Sequence, residues 1–122
     1  MLAWLKKIFA LRKPIGPLSD WFFVDFDEKG VTMRASPPGG EAWEQGFAWD
    51  RILRICFVAE PAASDGIYVF THDREASYVI PTEATGGSEL WGEILRRQLF
   101  DAELAIEAAS AESGMFCWPP AE

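Results

Sequence analysis

The chain has 122 residues, of which 49% are apolar and 25% charged, and its formal net charge at pH 7 is −8. This length and composition predict one globular domain, and the acidic balance argues against nucleic-acid binding, because phosphate contacts require a basic surface. The charge is unevenly distributed: residues 1–13 carry four basic side chains and no acid, whereas residues 14–122 carry 7 basic and 19 acidic ones. Such asymmetry predicts an arm whose partner differs from that of the body.

Residues 2–13 form the first predicted element, an amphipathic helix. On a helical wheel the apolar side chains cover about half of the circle and the lysines lie on the other half, although Arg12 interrupts the apolar side. Pro14 ends this helix, and residues 1–17 are predicted to be an arm and linker. Three surfaces suit the arm: its own domain, an anionic membrane or a protein partner. The residues predicted to make this contact are Trp4, Leu5, Lys6, Lys7, Ile8, Phe9, Arg12 and Lys13.

Six short strands are predicted after the arm, because apolar residues alternate with polar ones between turn signals. Asp27-Glu28-Lys29-Gly30 is a typical hairpin turn, and Ser36–Gly40, which holds two prolines, is a loop. The predicted strands are 21–26, 31–35, 42–49, 52–58, 67–72 and 76–80. The side chains expected to share one face of their strand are Phe22, Val24 and Phe26 in the first strand and Trp43, Phe47 and Trp49 in the third.

A helix is predicted after the sixth strand, where the apolar period changes from that of a strand to that of a helix. Ser88 is the expected N-cap residue, Asp101 either continues or restarts the helix, and Ser113-Gly114 ends it. The apolar residues 115–118 are expected to fold back on the domain. Six strands followed by a helix predict an α+β fold, a small antiparallel β-barrel or sandwich that spans residues 18–122.

The two cysteines, Cys56 and Cys117, are predicted to be free thiols in a reducing compartment. Cys56 lies in an apolar run and is typical of a small buried side chain, and two cysteines do not make a disulfide framework. The N-terminus lacks the apolar core of a signal peptide, and no stretch approaches the roughly 20 apolar residues of a membrane-spanning helix. The sequence therefore predicts a cytoplasmic protein, in which any contact with a membrane would be made by residues 2–13.

Three motifs are weighed for chemistry. Residues 22–27 resemble the Asp-x-Asp motif of haloacid-dehalogenase-like phosphatases, but those enzymes need a parallel sheet, so turn-forming acids at a hairpin are favoured. His72 is the only histidine, and it and Asp73 point to opposite faces of a strand. Residues 85–88 favour a helix start over a phosphate site, because acidic residues flank them. The sequence thus predicts no catalytic residue, no metal ion and no cofactor.

A family resemblance rests on the apolar spacing of three segments. They are Phe47-x-Trp49-x-x-Ile52-x-x-Ile55, Ile67-Tyr68-Val69-Phe70 and Ser77-Tyr78-Val79-Ile80-Pro81-x-x-Ala84. Over residues 20–111 the chain resembles bacterial pleckstrin-homology-like (PH-like) domains, including the YcxB-like group, which implies a barrel closed at one end by the C-terminal helix. It departs from them by having the short arm in place of membrane helices. Its first hairpin loop is acidic, so binding of inositol phosphates by the barrel is not expected.

The sequence as a whole predicts a non-catalytic cytoplasmic binding or regulatory module of PH-like fold that recognises a protein partner. Tryptophan is enriched at interface cores, and the partner-surface candidates are Trp21, Trp43, Tyr68 and Trp118. One alternative is a small acidic inhibitor, such as an immunity protein that neutralises a basic toxin, because an acidic body steers a cationic partner. The other is a peripheral membrane protein anchored by residues 2–13.

Overall fold

The computed structural model describes residues 17–61 and 64–120, so the arm predicted at residues 2–13 lies outside the described part of the chain. The strands within it are β1 Phe22–Phe26, β2 Gly30–Ala35, β3 Trp43–Ala48, β4 Ile52–Ala59, β5 Gly66–Thr71, β6 Arg74–Pro81 and β7 Gly114–Trp118. The helices are α1 Gly87–Arg96 and α2 Ala102–Ser110. Short 3-10 turns, Leu18–Asp20 and Trp49–Arg51, precede β1 and β4.

Two antiparallel sheets make up the fold. One has the strand order β1-β2-β3 and the other β6-β5-β4-β7. Buried side chains from both sheets form one core, in which the rings of Phe47 on β3 and Tyr78 on β6 lie 5.0 Å apart. The predicted α+β class with antiparallel strands is confirmed. In the described part of the chain the sheets form a sandwich-like pair and not a closed barrel.

The alternation of side chains along each strand explains which face of the three-stranded sheet is buried. Val24 and Met33 lie opposite each other in the first hairpin, and both are buried in the core. Phe26 shares this face as predicted, since it lies opposite the buried Val31, but its own side chain is exposed. It ends β1 beyond the core, where its ring lies 6.2 Å from the ring of Trp49.

The two helices pack against both sheets, because α1 contacts β1 as well as a side chain of β4. Leu90 and Ile94 of α1 are fully buried, and α2 contacts β4 and β7. The ring of Trp91 lies 4.9 Å from that of Phe57 on β4 and 4.9 Å from that of Phe100, which follows α1. This packing holds β4 in the middle of the domain, between β5 and β7.

The residues that lead into α1 cover the outer edge of β1. Gly86, and not the predicted Ser88, is the N-cap residue of α1, with a φ of +89° that favours glycine. The preceding Thr85 accepts a backbone hydrogen bond from Val24 (2.8 Å) and donates one to Phe22 (2.9 Å). Ser88 lies two residues further on, inside the helix, because the chain turns at Gly86 as it leaves β1.

The C-terminal part of the domain settles two points that the sequence leaves open. Asp101 restarts a second helix, and its carboxylate accepts a hydrogen bond from the backbone N–H of Leu104 at 2.9 Å, as an N-cap does. The apolar residues 115–118 fold back on the domain as expected, and they do so as strand β7, which pairs with β4. The described residues therefore hold one strand more than the sequence predicts, and the second helix is one of the two alternatives that it leaves open.

A disulfide bond joins Cys56 on β4 to Cys117 on β7, with the two Sγ atoms 2.04 Å apart. The prediction of two free thiols is therefore wrong. The two cysteines are separated by 61 positions in the sequence, and only the register of β4 with β7 places them opposite each other. A local apolar run around Cys56 carries no information about that register.

In the described part of the chain no helix is long and apolar enough to cross a membrane. The longer helix, α1, has 10 residues, whereas a span needs about 20. Membrane contact through residues 2–13 depends on a segment outside the described residues and stays a prediction.

Glu93 on α1 binds two arginines of the same helix end. Its carboxylate accepts hydrogen bonds from Nε of Arg96 at 2.9 Å and from Nε of Arg97 at 2.8 Å. The guanidinium of Arg97 also lies over the ring of Trp49, 4.2 Å from its centre. This cluster ties the C-terminal end of α1 to the turn between β3 and β4.

The cluster predicts a dependence of stability on pH. Hydrogen bonds from Arg96 and Arg97 lower the pKa of Glu93 from 4.5 to about 2. Because the pKa falls on folding, the contribution of Glu93 is complete above its unfolded pKa and is lost as the pH falls through the folded value. We expect Glu93→Gln to reduce the fall of the unfolding free energy on acidification. Urea unfolding at pH values from above 4.5 down to about 2 measures this fall. Arg96→Gln should reproduce part of this change, and an unchanged pH profile in Glu93→Gln would contradict the assignment.

Candidate functional site

The outer edge of β3 is a free strand edge in the described part of the chain. Among residues 17–61 and 64–120, the backbone of residues 43–48 forms strand hydrogen bonds with β2 alone. The β1 edge is covered by Thr85. On β6 the side chain of Arg74 donates to the carbonyls of Ala76 (2.9 Å) and Ser77 (2.8 Å). β7 is the other edge strand of that sheet, and Pro119, which follows it, has no N–H to donate.

Trp43 stands at the start of this edge. It lies opposite Ala35 of β2, and its ring meets the ring of Phe22 edge-on at 5.4 Å. Trp43 shares the face of Phe47 as predicted, since the two lie opposite Ala35 and Val31 of β2. Phe47 and Trp49 are buried, whereas Trp43, at the start of the last strand of its sheet, is 38% exposed.

A groove of about 490 Å³ lies beside Trp43 at this end of the sheet. Arg34 is the one cation among the residues that line it, and it is paired with Asp25 at 3.1 Å. Glu44 lines the groove and Glu41 is exposed next to it, so the unpaired charge around it is negative. We call this the Trp43 groove; its lining residues are Phe23, Arg34, Ala35, Ser36, Ala42, Trp43 and Glu44.

The four predicted partner-surface residues fall into two groups. Trp21 is half-buried and its ring lies 6.0 Å from that of Phe22, so Trp21 and Trp43 flank the same phenylalanine. Tyr68 and Trp118 lie on the four-stranded sheet, on β5 and at the end of β7. Trp118 is 39% exposed. The structure therefore brings Trp21 and Trp43 together and leaves Tyr68 and Trp118 elsewhere.

The acids of the Asp-x-Asp motif take part in the first hairpin. Asp27 Oδ1 accepts hydrogen bonds from the backbone N–H groups of Lys29 (2.8 Å) and Gly30 (3.0 Å). These bonds lower the pKa of Asp27 below its usual value. Asp25 pairs with Arg34 across the sheet. Asp27 therefore has the turn-forming role that the sequence favours, whereas Asp25 lies within β1 and not in the turn.

His72 lies in the exposed turn between β5 and β6, where its backbone N–H donates to the carbonyl of Arg51 at 2.9 Å. Asp73 beside it pairs with the side chain of Arg51 at 3.0 Å. The described residues bring no serine or cysteine to the groove that His72 lines. They also contain no group of three histidine, cysteine, aspartate or glutamate side chains placed to hold a metal ion.

The sequence identifies Trp43 as a candidate by its residue type, but it does not reveal that Trp43 stands on a free strand edge. The free edge of β3 depends on the order of strands in two sheets, and no short pattern in the sequence specifies that order. The weak signal that is present is the absence of proline and lysine from residues 43–48, since natural edge strands commonly carry such protective residues.

The chain matches no protein-family model, no curated protein and no solved structure.

Proposed function

We propose that this protein is a non-catalytic binding or regulatory module of PH-like fold, and that it recognises a basic, extended segment of a protein partner along β3. The observation that carries the proposal is the free edge of β3 next to an exposed tryptophan and a groove. Antiparallel strands followed by helices support the PH-like part of the proposal. The strand β7 after the helices is a departure from the predicted layout.

Binding by strand addition accounts for both affinity and selectivity. Backbone groups of an added strand would pair with those of β3, while alternate side chains of the partner enter pockets. Trp43 is a rigid aromatic anchor of the kind that dominates interface energetics. Glu41 and Glu44 favour lysine or arginine in the partner segment. The 7 basic and 19 acidic side chains of residues 14–122 would also steer a cationic partner toward the domain.

The same charge supports a second candidate, a small acidic inhibitor such as an immunity protein that neutralises a basic toxin. The strongly acidic body is the specific observation in its favour. A toxin-like gene directly beside the gene for this protein is the expected finding, and its absence would count against the inhibitor but not against strand addition.

A titration with a defined probe tests the proposed function. The probe is a soluble peptide in which lysine alternates with valine, added to the full-length, nitrogen-15-labelled protein and followed by amide chemical shifts. We expect the shifts to concentrate on β3. Trp43→Ala should weaken binding about tenfold or more, because anchor residues of interfaces contribute at least about 1.4 kcal/mol.

Trp118→Ala is the matched control, since Trp118 and Trp43 have nearly the same exposed fraction, 39% and 38%. It should leave the affinity unchanged. Equal losses in the two variants, or shifts spread over all acidic surfaces, would show that the peptide binds by charge alone and would refute recognition along β3.

A further inference from the structure

The outer face of the four-stranded sheet is apolar, although it faces away from the core. Tyr68 lies opposite Cys56 on one side and Val79 on the other, and Val58 lies opposite Met115. Val79 is 44% exposed and Met115 is 67% exposed. An antiparallel sheet that faces water on one side normally carries polar residues there. The composition of this face therefore indicates a surface that another segment covers.

A groove of about 330 Å³ runs over this face. Its floor is apolar, and two acidic residues, Asp65 and Glu83, lie on its rim. Leu18, at the N-terminal end of the described chain, forms part of its wall. We call it the Val79 groove; its lining residues are Leu18, Val58, Ser64, Asp65, Gly66, Tyr68, Val79, Pro81 and Glu83.

The sequence that precedes Leu18 has the chemistry and the length to fill this groove. Residues 2–13 combine an apolar half with four basic side chains and no acid, which complements an apolar floor with an acidic rim. As a helix they would be about 18 Å long, while the four strands span about 14 Å. Residues 14–16 reach about 10 Å when extended, enough to join Pro17 to a helix on this face.

We propose that residues 2–13 dock as an amphipathic helix on the outer face of the four-stranded sheet. Trp4, Ile8 and Phe9 pack into the Val79 groove. Lys6 and Lys7 lie toward its acidic rim. A helix this short is marginal in water and forms on the surface that receives it. The docked arm leaves β3 free, because β3 belongs to the other sheet, so this inference stands independently of the proposed function.

Paramagnetic relaxation tests the contact in the full-length protein. The spin label is attached to Ala10→Cys, which lies on the polar half of the proposed arm helix. Because Cys56 and Cys117 form a disulfide, the described residues contain no other thiol that would react with the label. We expect the amide signals of Tyr68 and Val79 to lose most of their intensity. Thr32 and Gly46, on the three-stranded sheet, should keep theirs. Equal broadening everywhere, or broadening centred on β3, would overturn the proposal.

Two further samples complete the test. Val79→Asp should restore the intensity of the Tyr68 signal, whereas Thr32→Asp, an exposed position on the other sheet, should not; the same response in both variants would contradict docking at this groove. A second sample mixes spin-labelled chains that carry no nitrogen-15 with nitrogen-15-labelled chains that carry no spin label. The amide signals of this mixture should show no broadening. Broadening in the mixture would assign the groove to the arm of a second copy and overturn docking within one chain.

Discussion

Replacing both cysteines by alanine is expected to lower the free energy of unfolding by about 4 kcal/mol in the chain-entropy description of a disulfide. Cys56 and Cys117 are 61 positions apart, so their bond removes many conformations from the unfolded chain. A domain of this size is commonly stable by only about 5–15 kcal/mol, and the loss is a large part of that margin. Urea unfolding of the oxidised parent and the double variant measures the difference.

Reduction provides the control for the disulfide prediction. In the presence of a strong reductant the parent should unfold at nearly the same urea concentration as the double variant, because both then lack the bond. The structural consequence is expected at β7, which pairs with β4 alone. Equal unfolding free energies for the oxidised parent and the variant, without reductant, would contradict a native bond between these cysteines.

Gly86→Ala is expected to cost about 3 kcal/mol or more. A non-glycine residue in the left-handed region costs about 1–2 kcal/mol, and Gly86 has a φ of +89°. A Cβ atom there would lie 2.1 Å from the carbonyl oxygen of Val24, so the loop must move away from β1. That movement breaks the two backbone bonds of Thr85 to β1, each of which contributes about 1 kcal/mol.

Gly92→Ala is the matched control for this substitution. Gly92 lies within α1, and a Cβ atom there meets nothing within 4 Å. Because alanine is the better helix former, this variant should be more stable than the parent by up to about 1 kcal/mol. Thermal or urea unfolding compares the two variants, and similar losses in both would refute the close approach of Gly86 to β1.

Local patterns predict the parts of this fold that depend on neighbours in sequence. The Asp27 turn and the pairing of the first two strands follow from residue alternation and turn chemistry, and both appear in the structure. The same patterns do not reveal burial: Phe26 and Trp43 lie on the predicted faces but are exposed at the ends of their strands. Periodicity specifies a face and does not specify how far the core extends along a strand.

Non-local pairing accounts for the remaining misses. The neighbour of β4 on one side is β7, which enters the sheet only after both helices, and this pairing creates the disulfide. The free edge of β3 follows from the same strand order. The sequence identifies Trp43 as a candidate by its residue type. Its position at an open edge beside a groove depends on how the two sheets assemble.

The central claim is that β3, with Trp43, is the surface that receives a protein partner. Its most direct test is a photo-crosslinking amino acid placed at Gln45, which is exposed on β3, in the full-length protein inside the source cells. Glu103, exposed on α2, provides the control position. We predict an adduct with a basic protein from position 45 that is absent from position 103 and is lost with Trp43→Ala. The same adducts from both positions, or none from position 45, would contradict the claim.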